Sequence, residues 1–374
     1  MAYQFPFFDL TRQYQTLKPQ ILETVARIFE KQTFVMGDEV LNFEKEMAQF
    51  IGVRHAVTCG SGTEALILAL KALDVGPGDD VLTTPFSFFA STSSILLAGA
   101  NPVFADIEPE TYNLDTSKLE RALTKKTKAI LPVHLFGQTA EMEPLMAFAK
   151  KHGLMVLEDA AQSLGAKYAG QNCMSIGTMG ATSFYPTKNL GGAGEGGLVT
   201  TNDDRLAERA RLLRVHGMKV RYTHDLLGWN TRMDALQAAV LRIKLPHLEK
   251  WTARRQTLAR QYFELLREPQ QNGKIVLPKT LPGRFHVWNQ FTVMVPNRDD
   301  VRKKLDERGI PTDIFYPKTI PVQPALQKLG VRENDFPVAV DCAKRALALP
   351  IFPELTDTEQ KAVTTALVEV LGRS

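Results

Sequence analysis

The first half of the chain alternates short apolar runs with segments of helical periodicity, and this alternation limits the folds open to it. The apolar runs are HAVTC (55–59), DDVLTT (79–84), PVFADI (102–107), KAILPV (128–133) and LMVLED (154–159), followed by GATSFY and GGLVTT. Runs without strict polar alternation are typical of strands covered on both faces. The sequence therefore predicts an α/β fold, with a mostly parallel sheet between helices and ligands at the carboxyl ends of its strands.

The pattern changes after about residue 233. Two long helical segments follow, MDALQAAVLRIKL and LEKWTARRQTLARQYFELL, separated by Pro246. Shorter elements come next, and Thr356 with Glu359 has the spacing of a capping box at the last helix. A length of 374 residues also exceeds a typical single core. We expect a large α/β domain with an N-terminal helical arm over 1–245, and a linking helix with a small α+β domain over 246–374.

Composition argues against several classes of protein. The 45 basic and 41 acidic residues leave a net charge of +4 without a basic run, which disfavours nucleic-acid binding. The three cysteines, Cys59, Cys173 and Cys342, lie far apart, so we expect no disulfide framework and no metal site, and favour a cytoplasmic location. The N-terminus lacks a signal-peptide pattern, and no apolar run is long enough for a membrane span.

The stretch SFYPTKNLGGAGEGG (183–197) combines one lysine with a run of glycines. Gly192, Gly194 and Gly197 match the dinucleotide-binding pattern G-x-G-x-x-G, but that fingerprint precedes a helix, whereas the strand candidate LVTT follows here. We therefore interpret Lys188 as the functional residue. Most lysines are surface residues, yet a partly desolvated lysine can form an imine with an aldehyde, and glycines beside it suit the approach of a planar ligand.

The motif GSGTEAL (60–66) joins a strand candidate to a helix candidate. The free amides at such a helix start form an anion site, commonly for phosphate. A tight turn capped by Ser61 or Thr63 is the alternative interpretation, and the motif alone does not separate the two.

Two further motifs supply an acid and an aromatic ring. In LEDAAQS (157–163), Asp159 emerges from an apolar strand and needs a cationic partner. In FSFFAST (86–92), Phe88 is a candidate for stacking on a ring, with core packing as the alternative. An anion site, a reactive lysine, an acid for a ring nitrogen and a flat stacking partner together match the needs of pyridoxal 5'-phosphate.

The chain resembles the DegT/DnrJ/EryC1 family of pyridoxal-phosphate-dependent nucleotide-sugar aminotransferases. The motifs that carry the resemblance keep the family's order over about residues 5 to 350: GSGTEAL, FSFFAS, LAGANPVFADI, EDAAQSLGA, SFYPTKNLG-x-x-G-x-GG and GWNTRMDALQAA. The resemblance implies a fold-type I transferase of the aspartate aminotransferase superfamily, with a seven-stranded type of sheet in the large domain. The similarity is greatest to the branch that aminates 3-keto sugars.

The same resemblance implies roles for individual residues. Lys188 would bind the cofactor aldehyde and Asp159 would pair with its pyridine nitrogen. Asn230 would reach the phosphate in a neighbouring subunit, which implies a homodimer with shared sites. Gln162 would contact the ring hydroxyl of the cofactor, and Phe88 would cover the face of the ring. The phosphate would be bound by Gly62, Thr63 and Ser183.

The reaction implied is transamination from L-glutamate to a keto sugar linked to UDP or dTDP, in surface-glycan or deoxyaminosugar biosynthesis. Lys188 disfavours the family's dehydratases, in which a histidine replaces it. Phe315 stands where related enzymes often carry a histidine, which favours a neutral sugar. Arg232 could meet a carboxylate, from glutamate or the sugar, or form a structural salt bridge at the dimer interface. His216 could line the site or belong to a packed loop, and Tyr316 could face the nucleotide sugar.

Two other functions stay open at the level of sequence. One is a pyridoxal-phosphate-dependent aminotransferase or lyase for a small keto or amino acid. The other is a non-catalytic protein that binds the cofactor and acts in regulation. The intact Lys188, Asp159 and Gln162 favour an enzyme, and no DNA-binding segment is recognisable in the sequence.

Overall fold

The computed structural model describes residues 3–372. Its strands, in chain order, are β1 (His55–Cys59), β2 (Asp80–Thr83), β3 (Asn101–Phe104), β4 (Thr127–Leu131), β5 (Met155–Asp159), β6 (Lys167–Tyr168), β7 (Gln171–Asn172), β8 (Met179–Ser183), β9 (Gly197–Thr201), β10 (Met218–Val220), β11 (Thr223–His224), β12 (Arg284–Phe285), β13 (Phe291–Met294) and β14 (Ala346–Leu349). Its α-helices are α1 (Leu10–Lys31), α2 (Asp38–Ile51), α3 (Gly62–Ala72), α4 (Ala90–Leu97), α5 (Leu119–Ala122), α6 (Met142–His152), α7 (Asp204–Leu213), α8 (Ala235–Lys244), α9 (Leu248–Leu265), α10 (Arg267–Gln271), α11 (Arg298–Asp306), α12 (Pro337–Arg345) and α13 (Asp357–Gly372).

A seven-stranded sheet organises the first part of the chain, in the order β1-β9-β8-β5-β4-β2-β3. The pairs from β8 to β3 are parallel, whereas β9 is antiparallel to both of its neighbours, β1 and β8. The residues of β2, β8 and β9 are buried throughout, as the apolar runs predicted. The prediction of an α/β fold with a mostly parallel sheet is confirmed.

The register of the sheet brings distant motifs to one edge. Ser183 at the end of β8 lies opposite Gly197, which in turn lies opposite Cys59 at the end of β1. Asp159 at the end of β5 lies opposite Ala181 of β8. The loops that follow β1, β5 and β8 therefore leave the sheet side by side, at the edge where parallel sheets bind ligands.

Side-chain caps define several helix starts. Asp203 accepts hydrogen bonds from the amides of Arg205 and Leu206 at the start of α7. Thr356 and Glu359 exchange hydrogen bonds at the start of α13, so the predicted capping box is present. Such caps satisfy amides that have no partner inside the helix.

Short 3₁₀ turns lead into α5 and α9. The segment DTSKLERAL forms a 3₁₀ turn over Thr116–Lys118 and the single turn of α5, with Asp115 accepting a hydrogen bond from the amide of Ser117. Pro246 lies in a 3₁₀ turn over Leu245–His247, so it joins α8 to α9 without a loop. Proline is tolerated there because its missing amide falls in the first turn.

The C-terminal part has a core of its own. Residues from α9, β13, α11, β14 and α13 pack there, and Tyr262 and Phe291 stack at 4.7 Å between ring centroids. Phe5, from the start of the chain, belongs to the same core, and the amide of Gln4 donates to the carbonyl of Gly309. The proposed domain limits, 1–245 and 246–374, stay a prediction. Of the helices between residues 3 and 372, none has both the length and the apolar character that a membrane span requires.

Candidate active site

The loop after β8 carries Lys188, whose amide donates to the carbonyl of Tyr185 at 2.9 Å. The side chain is half-buried. Burial lowers the pKa of the Lys188 amine, and the charge of Asp159 partly opposes this shift. A desolvated amine of this kind is more available as a nucleophile and as a base at neutral pH than an exposed lysine.

The glycines after Lys188 allow close approach of the chain to itself. A Cβ at Gly191 would lie 2.1 Å from the carbonyl oxygen of Pro186, and one at Gly197 would lie 2.1 Å from that of Ser61. Gly197 then opens strand β9, which rules out the dinucleotide fingerprint at this position. At Gly191 and Gly197 the expectation of cleared space for a planar ligand therefore differs from the structure, because protein backbone fills that space.

Asp159 is a buried carboxylate at the end of β5. Its Oδ2 accepts a hydrogen bond from Ser91 Oγ at 2.7 Å, and its Oδ1 accepts one from the amide of Ala161 at 3.1 Å. It forms no ion pair with any residue in 3–372. Burial raises the pKa of Asp159, while the Ser91 hydrogen bond and the charge of Lys188 lower it.

The neighbouring acid, Glu158, has a different environment. Its carboxylate accepts hydrogen bonds from the amides of Met174, Ile176 and Gly177 and contacts His134 Nε2 at 2.9 Å. His134 Nδ1 accepts from an amide, so Nε2 carries the proton that is donated to Glu158. Because successive residues of a strand face opposite sides, Glu158 braces a loop while Asp159 faces the site.

Gln162 lies in the loop after β5 and links three parts of the chain. Its Oε1 accepts from the amide of Phe136 at 2.8 Å, and its Nε2 donates to the hydroxyl of Tyr316 at 2.9 Å. Tyr316 comes from the loop after α11, far along the chain. Burial raises the pKa of Tyr316, so its hydroxyl keeps its proton at neutral pH.

Phe88 is not a core residue, although its neighbour Phe86 is. Phe86 is fully buried, whereas 57% of Phe88 is exposed. The Phe88 ring lies 6.3 Å from the ring of Tyr316 between centroids. An exposed aromatic ring beside the polar groups of the site favours the stacking interpretation over core packing.

The start of α3 lies next to β8, and the cap by Ser61 considered from the sequence is present, whereas the anion site stays a prediction. Ser61 caps the helix by accepting from the amide of Glu64, which leaves the amides of Gly62 and Thr63 without a protein partner in the described chain. A Cβ at Gly62 would lie 2.5 Å from the Cβ of Ser183. Glycine is thus required at position 62 for the helix start to contact the Ser183 side chain, and the free amides can receive an anion.

Asn230 and Arg232 lie close to the start of α3. Asn230 is exposed, and both line an open pocket beside Ser61 and Glu64. Arg232 makes no ion pair with any residue between 3 and 372, and a salt bridge across a dimer interface stays a prediction. His216 is exposed at a positive φ of 61°, and its carbonyl accepts from His224 Nδ1.

Two contacts at the site escaped the sequence interpretation. Ser91, which holds Asp159, lies three residues after Phe88 in the same FSFFAST motif, but Thr92, Ser93 and Ser94 follow it in the same helix, so the sequence does not single it out. The backbone of Phe136, which holds Gln162, offers no signal in the sequence either. In residues 3–372, no group of three or more His, Cys, Asp or Glu side chains is arranged to hold a metal ion.

The comparisons with known proteins agree with this geometry. The model of the DegT/DnrJ/EryC1/StrS aminotransferase family matches residues 15–368. The chain belongs to this family. It is 47% identical to a protein named pleiotropic regulatory protein from Geobacillus stearothermophilus, over 97% of this chain and 98% of the relative. It is 41% identical to the UDP-N-acetyl-3-dehydro-alpha-D-glucosamine 3-aminotransferase of Acidithiobacillus ferrooxidans, over 98% of each chain.

Among solved structures, DesV from S. venezuelae in complex with a ketimine intermediate superposes with a TM-score of 0.96. It is 40% identical, and the match covers 100% of both chains. The fold is therefore that of fold-type I pyridoxal-phosphate aminotransferases, and the family's cofactor is pyridoxal phosphate or its amine form.

The residues of this chain fit that cofactor on structural grounds. Asp159 is a buried carboxylate without a cationic partner in the described chain, which a protonated ring nitrogen would provide. The free amides of Gly62 and Thr63 suit a phosphate. Lys188 offers a desolvated amine close enough for its charge to act on Asp159. An aldehyde, a ring nitrogen and a phosphate are the three groups that these residues can hold together.

Proposed function

We propose that this protein transfers the amino group of L-glutamate to a nucleotide-linked 3-keto sugar, with pyridoxal phosphate as cofactor. The observation that carries the proposal is the proximity of the Lys188 and Asp159 side chains at one edge of the sheet. Burial shifts the pKa of both groups, and the charge of each acts on the other. Perturbed, mutually interacting groups at a ligand-binding edge are typical of catalytic sites.

The proposed cofactor contacts follow from the positions of the side chains. Lys188 would hold the aldehyde, Asp159 the ring nitrogen and Gln162 the ring hydroxyl, with Phe88 over the ring. Pyridoxal phosphate supplies an electrophilic aldehyde and an electron-accepting ring. The phosphate contacts that we propose are the amides of Gly62 and Thr63 and the hydroxyl of Ser183.

The amine of Lys188 would also move the proton in each half of the reaction. Its Nζ would take the proton from the Cα of the amino donor in the first half-reaction and give a proton to the keto carbon of the acceptor in the second. A base works best when its pKa is near the operating pH, and burial lowers the pKa of this amine toward that range. With the cofactor bound, Asp159 would stabilise the positive charge on its ring nitrogen.

The loop after α11 supports the proposal of a keto sugar as amino acceptor. Tyr316 reaches Gln162 from this loop and so lies where an acceptor would approach. The ring of Phe315 lies 6.3 Å from that of Phe7 and 5.8 Å from that of Tyr316 between centroids. These ring contacts bring no positive charge to Phe315, which supports a neutral sugar.

We further propose a homodimer in which Asn230 and Arg232 serve the neighbouring site. Both face an open pocket beside Ser61, at the surface of one chain. Arg232 would then meet a carboxylate of glutamate. The cytoplasmic location also stays a proposal, which the free, buried state of all three cysteines supports.

A second candidate function follows from one specific observation. The Geobacillus relative carries the name of a regulatory protein at 47% identity. A regulator that binds the cofactor without turnover would keep the phosphate contacts of Gly62 and Thr63 but would not need a base. The lowered pKa of Lys188 favours the enzyme over this candidate.

The amino acceptor can be identified by cofactor cycling. Purified protein is first converted to the amine form with L-glutamate, and the excess is removed. UDP- and dTDP-linked 3-keto sugars, a UDP-linked 3-keto-uronic acid and small 2-oxoacids are then added separately. We expect a neutral 3-keto nucleotide sugar to restore the aldehyde spectrum. Restoration by small 2-oxoacids alone would contradict the sugar proposal, and no conversion by glutamate would favour the regulator.

The shared site can be tested by mixing variants. Lys188→Ala and Asn230→Ala homodimers should each be impaired in amino transfer. After subunit exchange, heterodimers hold one site with both residues intact, so up to about a quarter of all sites should regain activity. Recovery that is no greater than the sum of the separate proteins would contradict the proposed reach of Asn230 into the neighbouring subunit.

A further inference from the structure

The residue after Lys188 is tied to the C-terminal part of the chain. Asn189 and Asn289 are both buried. Asn289 Nδ2 donates to Asn189 Oδ1 at 2.7 Å, and Asn189 Nδ2 donates to the carbonyl of Val287 at 3.2 Å. Both ends of the Asn189 amide are thus engaged by the 286–290 segment, which leads into β13.

The 286–290 segment also holds the backbone that orients Gln162. The amide of Val287 donates to the carbonyl of Gly137 at 2.9 Å, and the amide of Gln290 donates to the carbonyl of Phe136 at 3.3 Å. A Cβ at Gly137 would lie 2.8 Å from the amide nitrogen of Asn289. Since the amide of Phe136 binds Gln162, one segment contacts the supports of two proposed cofactor residues.

A buried arginine fixes the 286–290 segment from α9. Arg255 Nη1 donates to the carbonyls of Trp288 at 3.0 Å and of Ile351 at 2.6 Å. Its guanidinium forms no ion pair within the described chain, and burial lowers its pKa to about 10. Burying a charge without a counter-ion is costly, so these carbonyl contacts give the segment a defined position.

We propose that Asn289 is a positioning residue for Lys188, which acts through Asn189 to hold the reactive amine in its desolvated place. The 286–290 segment would then couple the C-terminal core to the loop that bears Lys188. This inference rests on the proposed role of Lys188. It adds a residue that touches neither cofactor nor substrate, because the Asn289 amide is directed at Asn189.

The test uses four variants of the full chain. Asn289→Ala and Asn189→Ala each remove one side of the amide pair, and the double variant removes both. Asn172→Ala is the matched control, since its Nδ2 also donates to two backbone carbonyls, those of Phe50 and Ile51, outside the 286–290 segment. Asn289→Ser, a smaller change, replaces Asn289→Ala if thermal unfolding shows that the latter does not fold.

The readout is the titration of the Lys188 amine in cofactor-free protein. Trace labelling with acetic anhydride across pH, followed by peptide mass analysis, gives the pKa of this amine without any turnover. Loss of the hydrogen bond between Asn289 and Asn189 admits water to the Lys188 amine, so the pKa of this amine should rise by about one unit. About tenfold less of the amine is then unprotonated at a given pH. Asn189→Ala, which also loses the hydrogen bond to Val287, should shift at least as far as Asn289→Ala, and the double variant should shift no further than Asn189→Ala, because Asn289 acts through Asn189.

Failure of the inference is distinguishable from failure of the proposed function. If the wild-type protein forms a borohydride-reducible adduct of pyridoxal phosphate at Lys188 but the variants titrate as the wild type does, Asn289 does not position the lysine. An equal shift in Asn172→Ala would show general loosening and would also overturn the inference. If the wild-type protein forms no adduct at Lys188, the proposed function itself fails.

Discussion

The hydroxyl of Tyr316 accepts a hydrogen bond from Gln162 Nε2 at 2.9 Å, across 154 positions of sequence. This contact closes the candidate site from the C-terminal side, because Tyr316 lies in the loop after α11 and Gln162 follows β5. Since the hydroxyl accepts from Gln162 and keeps its own proton, it can donate a further hydrogen bond into the site.

Tyr316→Phe removes this hydroxyl and leaves the ring. Gln162 Nε2 then loses a partner, and a neutral hydrogen bond contributes about 0.5–1.5 kcal/mol net, so the half-reaction with the sugar should slow by roughly two- to tenfold. Stopped-flow absorbance of each half-reaction measures this. Tyr222→Phe, at a side chain that is 79% exposed, is the control. An unchanged rate in Tyr316→Phe would remove Tyr316 from the site.

Ser91→Ala tests the support of Asp159. Without the Ser91 hydroxyl, the pKa of Asp159 rises above its already raised value, so the carboxylate pairs less well with a protonated ring nitrogen. A hydrogen bond to a charged group contributes about 1.5–3 kcal/mol, which predicts roughly ten- to hundredfold weaker cofactor binding by equilibrium dialysis. Ser94→Ala, whose hydroxyl donates to the carbonyl of Ser91 instead, should bind normally. Equal affinity in both variants would contradict the role assigned to Ser91.

Gly62→Ala tests the anion site at the start of α3. The added Cβ would lie 2.5 Å from the Cβ of Ser183, so the helix start must move away from β8. Overpacking of this kind costs about 1–3 kcal/mol, and phosphate contacts should be lost with it. We expect both weaker binding of pyridoxal phosphate and a lower melting temperature. Gly76→Ala is the control, since its Cβ would meet nothing closer than 3.8 Å. Normal cofactor affinity in Gly62→Ala would place the phosphate elsewhere.

His286 should make the fold sensitive to acid. It is buried, its ring stacks on Trp288 at 3.6 Å, and its Nδ1 accepts from the amide of Trp288. Burial lowers its pKa to about 3. Between that value and the ordinary pKa of about 6.5, the unfolded chain binds a proton that the folded chain does not, so stability falls as the pH falls.

The limit of this effect is on the order of 4–5 kcal/mol over that pH range. His286→Asn keeps an acceptor for the amide of Trp288 but cannot titrate. Urea unfolding at several pH values between 6.5 and 4 should therefore show a shallower loss of stability in the variant than in the wild type. Parallel curves would contradict a neutral, buried His286 in the folded protein.

The sequence was informative where local pattern fixes the structure. The β-α alternation predicted the sheet, and the end of an apolar strand identified Asp159, because strand ends meet at one edge. The choice between Asp159 and Glu158 follows from which face of β5 each occupies. The exposure of Phe88 against the burial of Phe86 could not be predicted, since both belong to one aromatic motif.

Long-range contacts account for what the sequence did not predict. Ser91, Asn289 and the amide of Phe136 act on residues 68, 100 and 26 positions away, respectively. The periodicity of a sequence predicts local elements and not contacts between residues so far apart along the chain. The sequence suggests that the glycines after Lys188 make room for a ligand. In the structure Gly191 contacts Pro186 and Gly197 contacts Ser61, and the second contact forms only because the chain folds back.

The most direct test of the central claim is the visible spectrum of the protein with pyridoxal phosphate, before and after L-glutamate, beside Lys188→Ala. The account predicts a yellow wild-type protein that glutamate bleaches, and a borohydride-reduced adduct on the peptide that contains Lys188. Lys188→Ala should show neither the adduct nor cycling. A wild-type protein that stays colourless with added cofactor, or an adduct on another lysine, would contradict the account.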